Sequence, residues 1–268
     1  MQDDLGTRMK EQYENRTRYS LPRRTYTIIR LDGKAFHTFT KNMKRPYDLD
    51  LMNIMDETAK FLCEEIQGSQ FAYVQSDEIS LLLTDFEKIT TDAWFDGNIQ
   101  KMVSVAASIA TTKFNQEILN KVIREELYDC EFPGSMDFYE LKRFIGEFKF
   151  AQFDARVFTI PDHIEVENYF IWRQKDAVRN SISMVAQSLY SHKELEGKSS
   201  PEKQDMIHDK GQNWNDMPDG FKRGRFVRYM SFGDFDDSNR RSVWEIAPAS
   251  DFLKDRSELS ERIPLISE

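Results

Sequence analysis

Short runs rich in β-branched and aromatic residues predict four strands in the first 160 residues of the chain. They occupy positions 25–31, 71–75, 79–83 and 148–160. The first run stops at Asp32 and Gly33, a pair typical of turns. Only Ser76, Asp77 and Glu78 separate the second run from the third, which predicts a β-hairpin with acidic residues at its tip.

Two stretches with the 3.6-residue period of helices lie between these strands. One begins at Asp50, which we expect to cap it, and ends at Gly68, whereas the other spans 98–127. The order strand, helix, strand, strand, helix, strand predicts an α+β fold, a palm-like (ferredoxin-like βαββαβ) antiparallel sheet with helices on one face. Small residues at 104–112 suit close packing of the second helix on that sheet, or equally an interface between subunits.

The C-terminal part of the chain predicts a helical and extended appendage. Helical periodicity fills 164–191, a flexible loop is expected at 192–201, a short helix follows at 201–208, and late strands are expected at 225–230 and 242–246. We therefore expect a palm-like domain at 1–165 and an appendage at 166–268, packed together as one structural unit.

The composition and the N-terminal residues predict a cytoplasmic protein that does not enter a membrane. Charged residues make up 31% of the 268 positions, and no apolar run approaches the roughly 20 residues that a membrane span needs. The first 18 residues are charged throughout and lack the apolar centre of a signal peptide. Cys63 and Cys130 form neither a metal-ligand pair nor a disulfide framework, so we expect two inert thiols in a reducing compartment.

Basic residues are clustered although the formal net charge is -9. Between positions 21 and 45 there are seven basic residues and one acid, and a second cluster comprises Lys222, Arg223, Arg225 and Arg228. An acidic protein with two basic patches is suited to a confined polyanion, such as a triphosphate or one RNA end, rather than to duplex DNA. Solvated loop charges would produce the same pattern.

Acidic residues end two strands that the predicted fold places side by side. Asp32 ends the first strand and Asp77 lies at the hairpin tip, so their carboxylates would meet and repel each other. Mg²⁺ commonly binds through one or two carboxylates plus substrate phosphates, and Gly33 would let a backbone carbonyl approach such an ion. Each motif alone fits an ordinary turn, but together, beside a basic segment, they predict two-metal nucleotidyl transfer.

Five ordered blocks of the sequence also carry a family resemblance. They read RLDGKAFHTF (30–39), QSDEIS (75–80), FDARVF (153–158), WRQKDAVRNSI (172–182) and GQNWNDMPDGFKRG (211–224). These blocks resemble the tRNA-histidine guanylyltransferase family. Its members use a palm domain to add nucleotides to the 5′ end of tRNA, so that the chain grows in the 3′-to-5′ direction.

The resemblance implies site residues by position. Asp32 and Asp77, with the Gly33 carbonyl, would hold two Mg²⁺ ions, and Glu78 would complete a catalytic acidic motif. Nucleotide or triphosphate binding is implied for Arg30, Lys34, Ala35, Phe36, His37, Lys44, Arg45, Ser76 and Lys203. RNA binding is implied for Arg179, Asn180, Asn213, Asn215, Lys222 and Arg223.

Several residues in these blocks have a purely structural alternative. His37 equally fits a hydrogen-bonded histidine beneath the strand, and Trp172 and Trp214 fit packing better than base stacking. Arg173 and Arg179 equally fit surface ion pairs worth less than about 1 kcal/mol.

One departure within the fourth block separates two branches of the family. Members that add the extra guanylate to histidine tRNA carry a HINNLYN sequence after their WRQ motif, whereas Val178–Ile182 of this chain read VRNSI, without the histidine. This form resembles the guanylyltransferase-like branch, which implies template-dependent repair of truncated tRNA 5′ ends with NTPs (GTP, ATP), by a homotetramer.

Three alternatives remain at this stage. The first is addition of the extra 5′ guanylate to histidine tRNA, and the second is a palm-fold nucleotide cyclase. The third is a non-catalytic RNA-binding module of the same strand order. The predicted strands offer no paired aromatic pattern of the kind that such modules use for base stacking, which disfavours the third alternative.

Overall fold

The computed structural model describes residues 4–128, 149–232 and 241–266 of the 268-residue chain. Within these ranges the strands are β1 (Tyr26–Gly33), β2 (Ser69–Gln75), β3 (Glu78–Leu83), β4 (Phe153–Ile160), β5 (Arg225–Phe232) and β6 (Arg241–Pro248). The helices are α1 (Leu5–Gln12), α2 (Phe36–Phe39), α3 (Leu49–Glu65), α4 (Ile99–Tyr128), α5 (His163–Leu189), α6 (His192–Leu195), α7 (Ser200–Asp209), α8 (Asp219–Arg223) and α9 (Ser257–Ser260). No helix in the described ranges has the length and apolar character needed to cross a bilayer.

The strands form one antiparallel sheet in the order β4-β1-β3-β2-β5-β6. The first four strands have the predicted βαββαβ arrangement, with β1 and β3 as neighbours, which confirms the palm-like α+β fold. The two late strands were predicted as well, and they extend this same sheet beyond β2. The domain boundary between residues 165 and 166 stays a prediction.

Helices cover both faces of the sheet. The palm helices α3 and α4 lie on one face, as predicted, over a core that includes Ile29, Leu31 and Leu81. Ala106 and Ala110, from the small-residue segment, are buried in that core, so the segment packs against the sheet. The long helix α5 lies on the other face, over residues of β1 and β2. Because both faces are covered, the central strands carry apolar residues at consecutive positions.

The hairpin between β2 and β3 is tighter than predicted. Its turn contains two residues, Ser76 and Asp77, instead of three, because Gln75 pairs directly with Glu78. Ser76 has a φ of 47°, the left-handed conformation that two-residue hairpin turns require. Glu78 is therefore the first residue of β3, and Asp77 is the acidic residue that remains at the tip.

Three other boundary predictions also need correction. The cap of α3 is Asp48, whose side chain accepts hydrogen bonds from the backbone N–H groups of Asp50 and Leu51, so the predicted cap at Asp50 was wrong. β1 continues through Asp32 and Gly33 instead of stopping before them. The predicted loop at 192–201 contains the helical turn α6.

Of the two cysteines, only Cys63 lies within the described residues. Cys63 is buried beneath the sheet, and burial raises the pKa of its thiol well above its usual value, which keeps it in the unreactive thiol form. Cys130 and residue 148, where the fourth strand was predicted to begin, lie outside the described residues.

Candidate active site

A row of three acidic residues crosses one end of the sheet. Asp32 on β1 pairs with Asp154 on β4 and with Glu78 on β3. Directly paired residues of antiparallel strands project from the same face, so the three side chains are neighbours on the face that α5 covers. The next row inward is basic, because Arg30 pairs with Arg156.

Asp77 lies beside this row at the hairpin tip. The backbone N–H of Gly33 donates to the backbone oxygen of Asp77 at 3.1 Å, which ties the end of β1 to the tip. Burial raises the pKa of Asp77, and the carboxylate of Asp32 contributes further in the same direction. Burial also raises the pKa of Asp32, with Asp154 as the next cause, although nearby arginines partly oppose the shift.

The donor chemistry at Asp32 and Asp77 suits a hard divalent cation. Both carboxylates are half-buried and repel each other, and neither forms an ion pair with another described residue. Within the described ranges, no three His, Cys, Asp or Glu side chains converge into a complete metal site. An ion here would thus need backbone and substrate oxygens as well, which is the usual situation for protein-bound Mg²⁺.

Glu78 has a different environment from the two aspartates. Both of its carboxylate oxygens accept hydrogen bonds from Arg173 of α5, at 2.7 Å each, and both residues are buried. The structure places Glu78 in an internal ion pair, and its catalytic role stays a prediction of the resemblance. Arg173 is likewise a buried residue and not the surface partner that its position on a helix suggested.

Gly33 is required sterically at the end of β1. A Cβ atom at this position would overlap the ring of Phe36. That ring is held in place by Phe39, Phe114 and Phe153, whose centroids lie 5.2–5.4 Å away. Phe36 therefore leaves no room for a side chain at position 33, whose backbone N–H is bonded to the Asp77 oxygen.

A cavity of about 430 Å³ opens next to the hairpin tip. Asp77, Ser76 and Gly33 line one side of it, and the loop carrying Lys44 and Arg45 lines another. These two basic side chains are exposed and form no ion pair with any described residue, so their charge is available to an anion.

Asp48 holds this basic loop in position. Its carboxylate accepts the backbone N–H of Lys44 at 3.2 Å in addition to capping α3. Burial opposes ionisation of Asp48, but the three backbone donors outweigh it and keep its pKa below the usual range.

Comparison with known proteins gives the family. The family model described as "Thg1: tRNAHis guanylyltransferase" matches residues 6–161, more than half of the chain. The chain belongs to the tRNAHis guanylyltransferase family. Members of this family are nucleotidyltransferases, so the protein is an enzyme of that class.

Solved structures of similar proteins cover almost the whole chain. A bacterial tRNA(His) guanylyltransferase (Thg1)-like protein in complex with ATP is 38% identical, with a TM-score of 0.78, over 97% of this chain and 100% of that one. One in complex with GTP is also 38% identical, with a TM-score of 0.77, over 98% of this chain and 100% of that one.

Curated relatives match at lower identity. The tRNA(His) guanylyltransferase of Debaryomyces hansenii is 28% identical over 232 residues, which are 81% of this chain and 79% of that protein. An uncharacterized protein of Acanthamoeba polyphaga mimivirus is 27% identical over 208 residues, or 70% of this chain, and the match spans 64% of that protein's length.

The structure brings together most of the residues that the guanylyltransferase resemblance assigned to nucleotide binding. The main cavity is lined by Ala35, Phe36, His37, Lys44, Arg45 and Ser76. His37 is exposed there, with its ring hydrogen-bonded to the neighbouring Thr38. Arg30 lies in the basic row next to Asp32, one row further from the end of the sheet. The Lys34 ammonium donates a hydrogen bond to the Gln152 side chain. Lys203 lies on α7 and donates a hydrogen bond to Ser183 of α5. It is not among the residues that line this cavity.

The residues assigned to RNA binding lie on α5 and on the segment packed against it. Arg179 pairs with Asp176, whereas Asn180 is exposed. Asn213 caps the 3₁₀ turn Trp214–Asp216 by accepting the backbone N–H of Asn215. Trp214 is buried and donates to Ser181, which confirms packing rather than base stacking for this tryptophan.

Acidic side chains neutralise the second basic cluster, so this predicted patch does not offer free positive charge to a polyanion. Lys222 is buried, donates to the backbone oxygen of Asn215 and pairs with Asp219. Arg223 pairs with Asp219 and Asp251. The other two arginines also have partners: Arg225 with Asp56, and Arg228 with Glu245 and Glu258.

Sequence reasoning missed two residues of the guanylyltransferase site. Asp154 was inside a quoted block but received no role, because only the register of β4 against β1 brings it next to Asp32. Asp48 also received no role, because the helix cap was predicted at Asp50. An acid immediately before an apolar-periodic stretch is a recognisable N-cap signal, so this residue could have been found.

Proposed function

We propose that this guanylyltransferase family member adds NTPs to the 5′ end of tRNA, in the 3′-to-5′ direction and directed by the opposite tRNA strand. The observation that carries the proposal is that Asp32 and Asp77 lie near each other beside a cavity that Lys44 and Arg45 also line, two cations without an ion-pair partner among the described residues. An acidic site next to a basic phosphate cradle is the arrangement that nucleotidyl transfer needs. The similar bacterial structures hold ATP and GTP, which supports these NTPs as ligands here.

The proposed reaction joins an incoming nucleotide to an activated 5′ phosphate. The 3′-hydroxyl oxygen of the NTP attacks the phosphorus of a tRNA 5′ end that carries a triphosphate or has been adenylylated with ATP. The new phosphodiester bond forms as a phosphoanhydride bond breaks, and pyrophosphate or AMP leaves. The hydroxyl proton passes to solvent or to a neighbouring phosphate oxygen, so no protein nucleophile is required.

The residues of the chain would bind and orient these groups. Asp32, Asp77 and the Gly33 backbone would hold two Mg²⁺ ions, which when bound lower the pKa of a hydroxyl and neutralise phosphate charge. Lys44 and Arg45 would contact triphosphate oxygens, and Ser76 at the tip of the hairpin would add a hydroxyl donor. Asp48 would keep the basic loop in place through its bond to the Lys44 backbone.

Repair of truncated 5′ ends is favoured over addition of an extra guanylate to histidine tRNA. The sequence at Val178–Ile182 lacks the histidine of the HINNLYN motif, and it lies on α5, which packs against the site face of the sheet. The relatives named tRNA(His) guanylyltransferase support tRNA as the polynucleotide. Assembly into a homotetramer stays a prediction of the resemblance, and a cytoplasmic location stays a prediction from the composition and the N-terminal residues.

The proposal can be tested by giving the enzyme two tRNAs in parallel. One lacks its first 5′ nucleotide and has an intact 3′ strand as template, and the other is a full-length histidine tRNA with a 5′ monophosphate. We expect addition of the complementary nucleotide to the truncated tRNA, for each of the four template bases. Addition of guanylate alone, whatever the template base, would contradict the repair function and favour histidine-tRNA maturation.

A further inference from the structure

Trp172, on α5, is a large aromatic residue that the fold leaves largely uncovered. It is 52% exposed, whereas Trp94 and Trp214 are buried. The sequence favoured a packing role for Trp172, but the neighbouring side chains cover its ring only in part.

The Trp172 ring is held firmly from one side. The guanidinium carbon of Arg173 lies over the ring, 4.4 Å from its centroid, and the ring of Tyr169 meets it edge-on with centroids 5.9 Å apart. Arg173 is itself fixed by its two hydrogen bonds to Glu78. Because Arg173 covers one face of the indole, the opposite face and the outer edge supply the exposed area. A ring held in this way loses little conformational freedom when a flat ligand stacks on it.

The exposed ring lies close to the acidic row of the candidate active site. Arg173 connects Trp172 to Glu78, and Glu78 pairs directly with Asp32 across the sheet. A group stacked on Trp172 would therefore be a near neighbour of a phosphate bound at Asp32.

Positive charge surrounds the ring on the same side of the molecule. Arg30 pairs with Ser80, which hydrogen-bonds to α5, so Arg30 is on the face that this helix covers. Neither Arg30 nor Lys175, which is exposed one turn after Trp172, forms an ion pair within the part of the chain that the structure describes. Arg156 is 57% exposed, and its contact with the acid two residues before it is long, at 3.9 Å.

An exposed ring among cations is suited to single-stranded RNA. Bases stack on aromatic side chains whatever their sequence, while basic residues contact the phosphates. A protein partner would instead need a continuous apolar patch. The neighbours of Trp172 on the exposed side of α5, one turn before it and one turn after it, are the polar residues Asn168 and Lys175.

We propose that Trp172 stacks on the template base, the unpaired base of the opposite tRNA strand that a truncated 5′ end exposes. Lys175 and Arg156 contact the phosphates of that strand. The inference rests on the proposed function, which puts the reacting 5′ phosphate at Asp32 and the template base next to it. Because stacking accepts all four bases, Trp172 positions the template without selecting the incoming nucleotide.

The first test measures binding of truncated tRNA to the unmodified enzyme without NTP. One tRNA carries the natural template base, and the other has an abasic nucleotide at that position. Filter binding should show at least about fivefold weaker binding of the abasic tRNA, the effect of losing one stacked base. An abasic nucleotide at the 3′ terminus is the control and should have little effect. Equal binding of the first two tRNAs overturns the stacking proposal, whereas no binding of any tRNA would overturn the proposed function instead.

The second test repeats the comparison with variants. Trp172→Ala should bind the natural and abasic tRNAs equally, with ATP binding unchanged, and Trp172→Phe should keep most of the difference because it keeps a ring. Tyr229→Ala removes a ring of similar exposure, 51%, from β5 and should keep the full difference.

Two results would contradict the role of Trp172. One is a full difference between the two tRNAs in folded Trp172→Ala. The other is a lower oligomeric mass of Trp172→Ala in analytical ultracentrifugation with the difference retained, which would assign the ring to a contact between copies of the chain.

Discussion

At the residue scale, the acids of the candidate site differ in the cations and hydrogen-bond donors that stabilise their carboxylates. Glu78 has Arg173, and Asp48 has three backbone donors. Asp32 and Asp77 form no ion pair with a described residue, and burial raises the pKa of both although nearby arginines and hydrogen bonds partly oppose the shift. The sequence supplied the identity of Asp32 and Asp77 through motif spacing. It could not assign Arg173, because contact between α5 and β3 is set by packing across more than 90 residues of chain.

The raised pKa of Asp77 gives a stability prediction. A carboxyl whose pKa is higher in the folded state than in the unfolded state destabilises the fold when it is ionised. The destabilisation is full at neutral pH and disappears below the ordinary carboxyl pKa of about 4. Asp77→Asn should therefore raise Tm at pH 7, because it removes the ionised form that burial disfavours.

Thermal unfolding as a function of pH checks this prediction. The difference in Tm between the variant and the unmodified protein should shrink as the pH falls toward about 4. Mg²⁺ should raise Tm of the unmodified protein and leave that of Asp77→Asn unchanged. Asp255→Asn is the matched control, because hydrogen bonds from Ser257 lower the pKa of this exposed carboxyl, and its Tm should not rise. A Tm for Asp77→Asn below that of the unmodified protein would refute the electrostatic account.

The buried pair of Arg173 and Glu78 gives a second prediction at this scale. Arg173→Ala leaves a carboxylate buried without its partner, so the free energy of unfolding should fall by roughly 3–5 kcal/mol in urea titrations. Arg179→Ala, on the exposed side of the same helix, should cost less than about 1 kcal/mol. Similar losses for both variants would show that the Glu78 pair is not a structural anchor.

At the element scale, the site depends on how β1 and the hairpin end. Runs of β-branched and aromatic residues predicted the strands, because strands buried on both faces carry apolar residues at consecutive positions. The length of the turn was not predicted correctly. The two-residue turn contains no glycine, so Ser76 adopts the left-handed backbone region at a cost in conformational energy. The sequence did not show this, because the turn length depends on the pairing of Gln75 with Glu78.

Gly33 gives the prediction for the end of β1. Gly33→Ala forces a methyl group into the fixed ring of Phe36, and we expect a loss of about 1–3 kcal/mol in chemical unfolding, together with loss of nucleotide transfer. Gly33→Ala combined with Phe36→Leu should recover part of the stability. The control is Gly6→Ala in α1, where the added methyl group meets only ordinary contacts and should be neutral or slightly stabilising. An undiminished stability of Gly33→Ala would show that the site tolerates a side chain there.

At the scale of the whole molecule, charge distribution decides where a polyanion can bind. The formal net charge of -9 and two basic clusters are visible in the sequence, but which cluster is free is not. Lys222 and Arg223 pair with Asp219, which lies only three and four residues away, but the other partners of this cluster are distant in the sequence. They are Asp251 for Arg223, Asp56 for Arg225, and Glu245 and Glu258 for Arg228. Lys44 and Arg45 remain unpaired within the described residues because their loop faces the cavity.

This difference predicts unequal salt dependence of tRNA binding. Lys44→Gln removes a charge that has no ion-pair partner among the described residues, so the slope of the logarithm of the association constant against the logarithm of salt concentration should fall by about one. Arg228→Gln removes a charge that two glutamates already compensate, and its slope should equal that of the unmodified protein. Filter binding at several salt concentrations measures both, and equal slopes for all three proteins would contradict the assignment of the phosphate cradle.

The most direct test of the central claim is Mg²⁺-dependent addition of labelled nucleotide to a 5′-truncated tRNA by Asp77→Asn. We expect templated extension by the unmodified enzyme in Mg²⁺, none after chelation, and none by the variant although circular dichroism shows it folded. Extension by folded Asp77→Asn at the rate of the unmodified enzyme would contradict the metal-binding role proposed for Asp32 and Asp77.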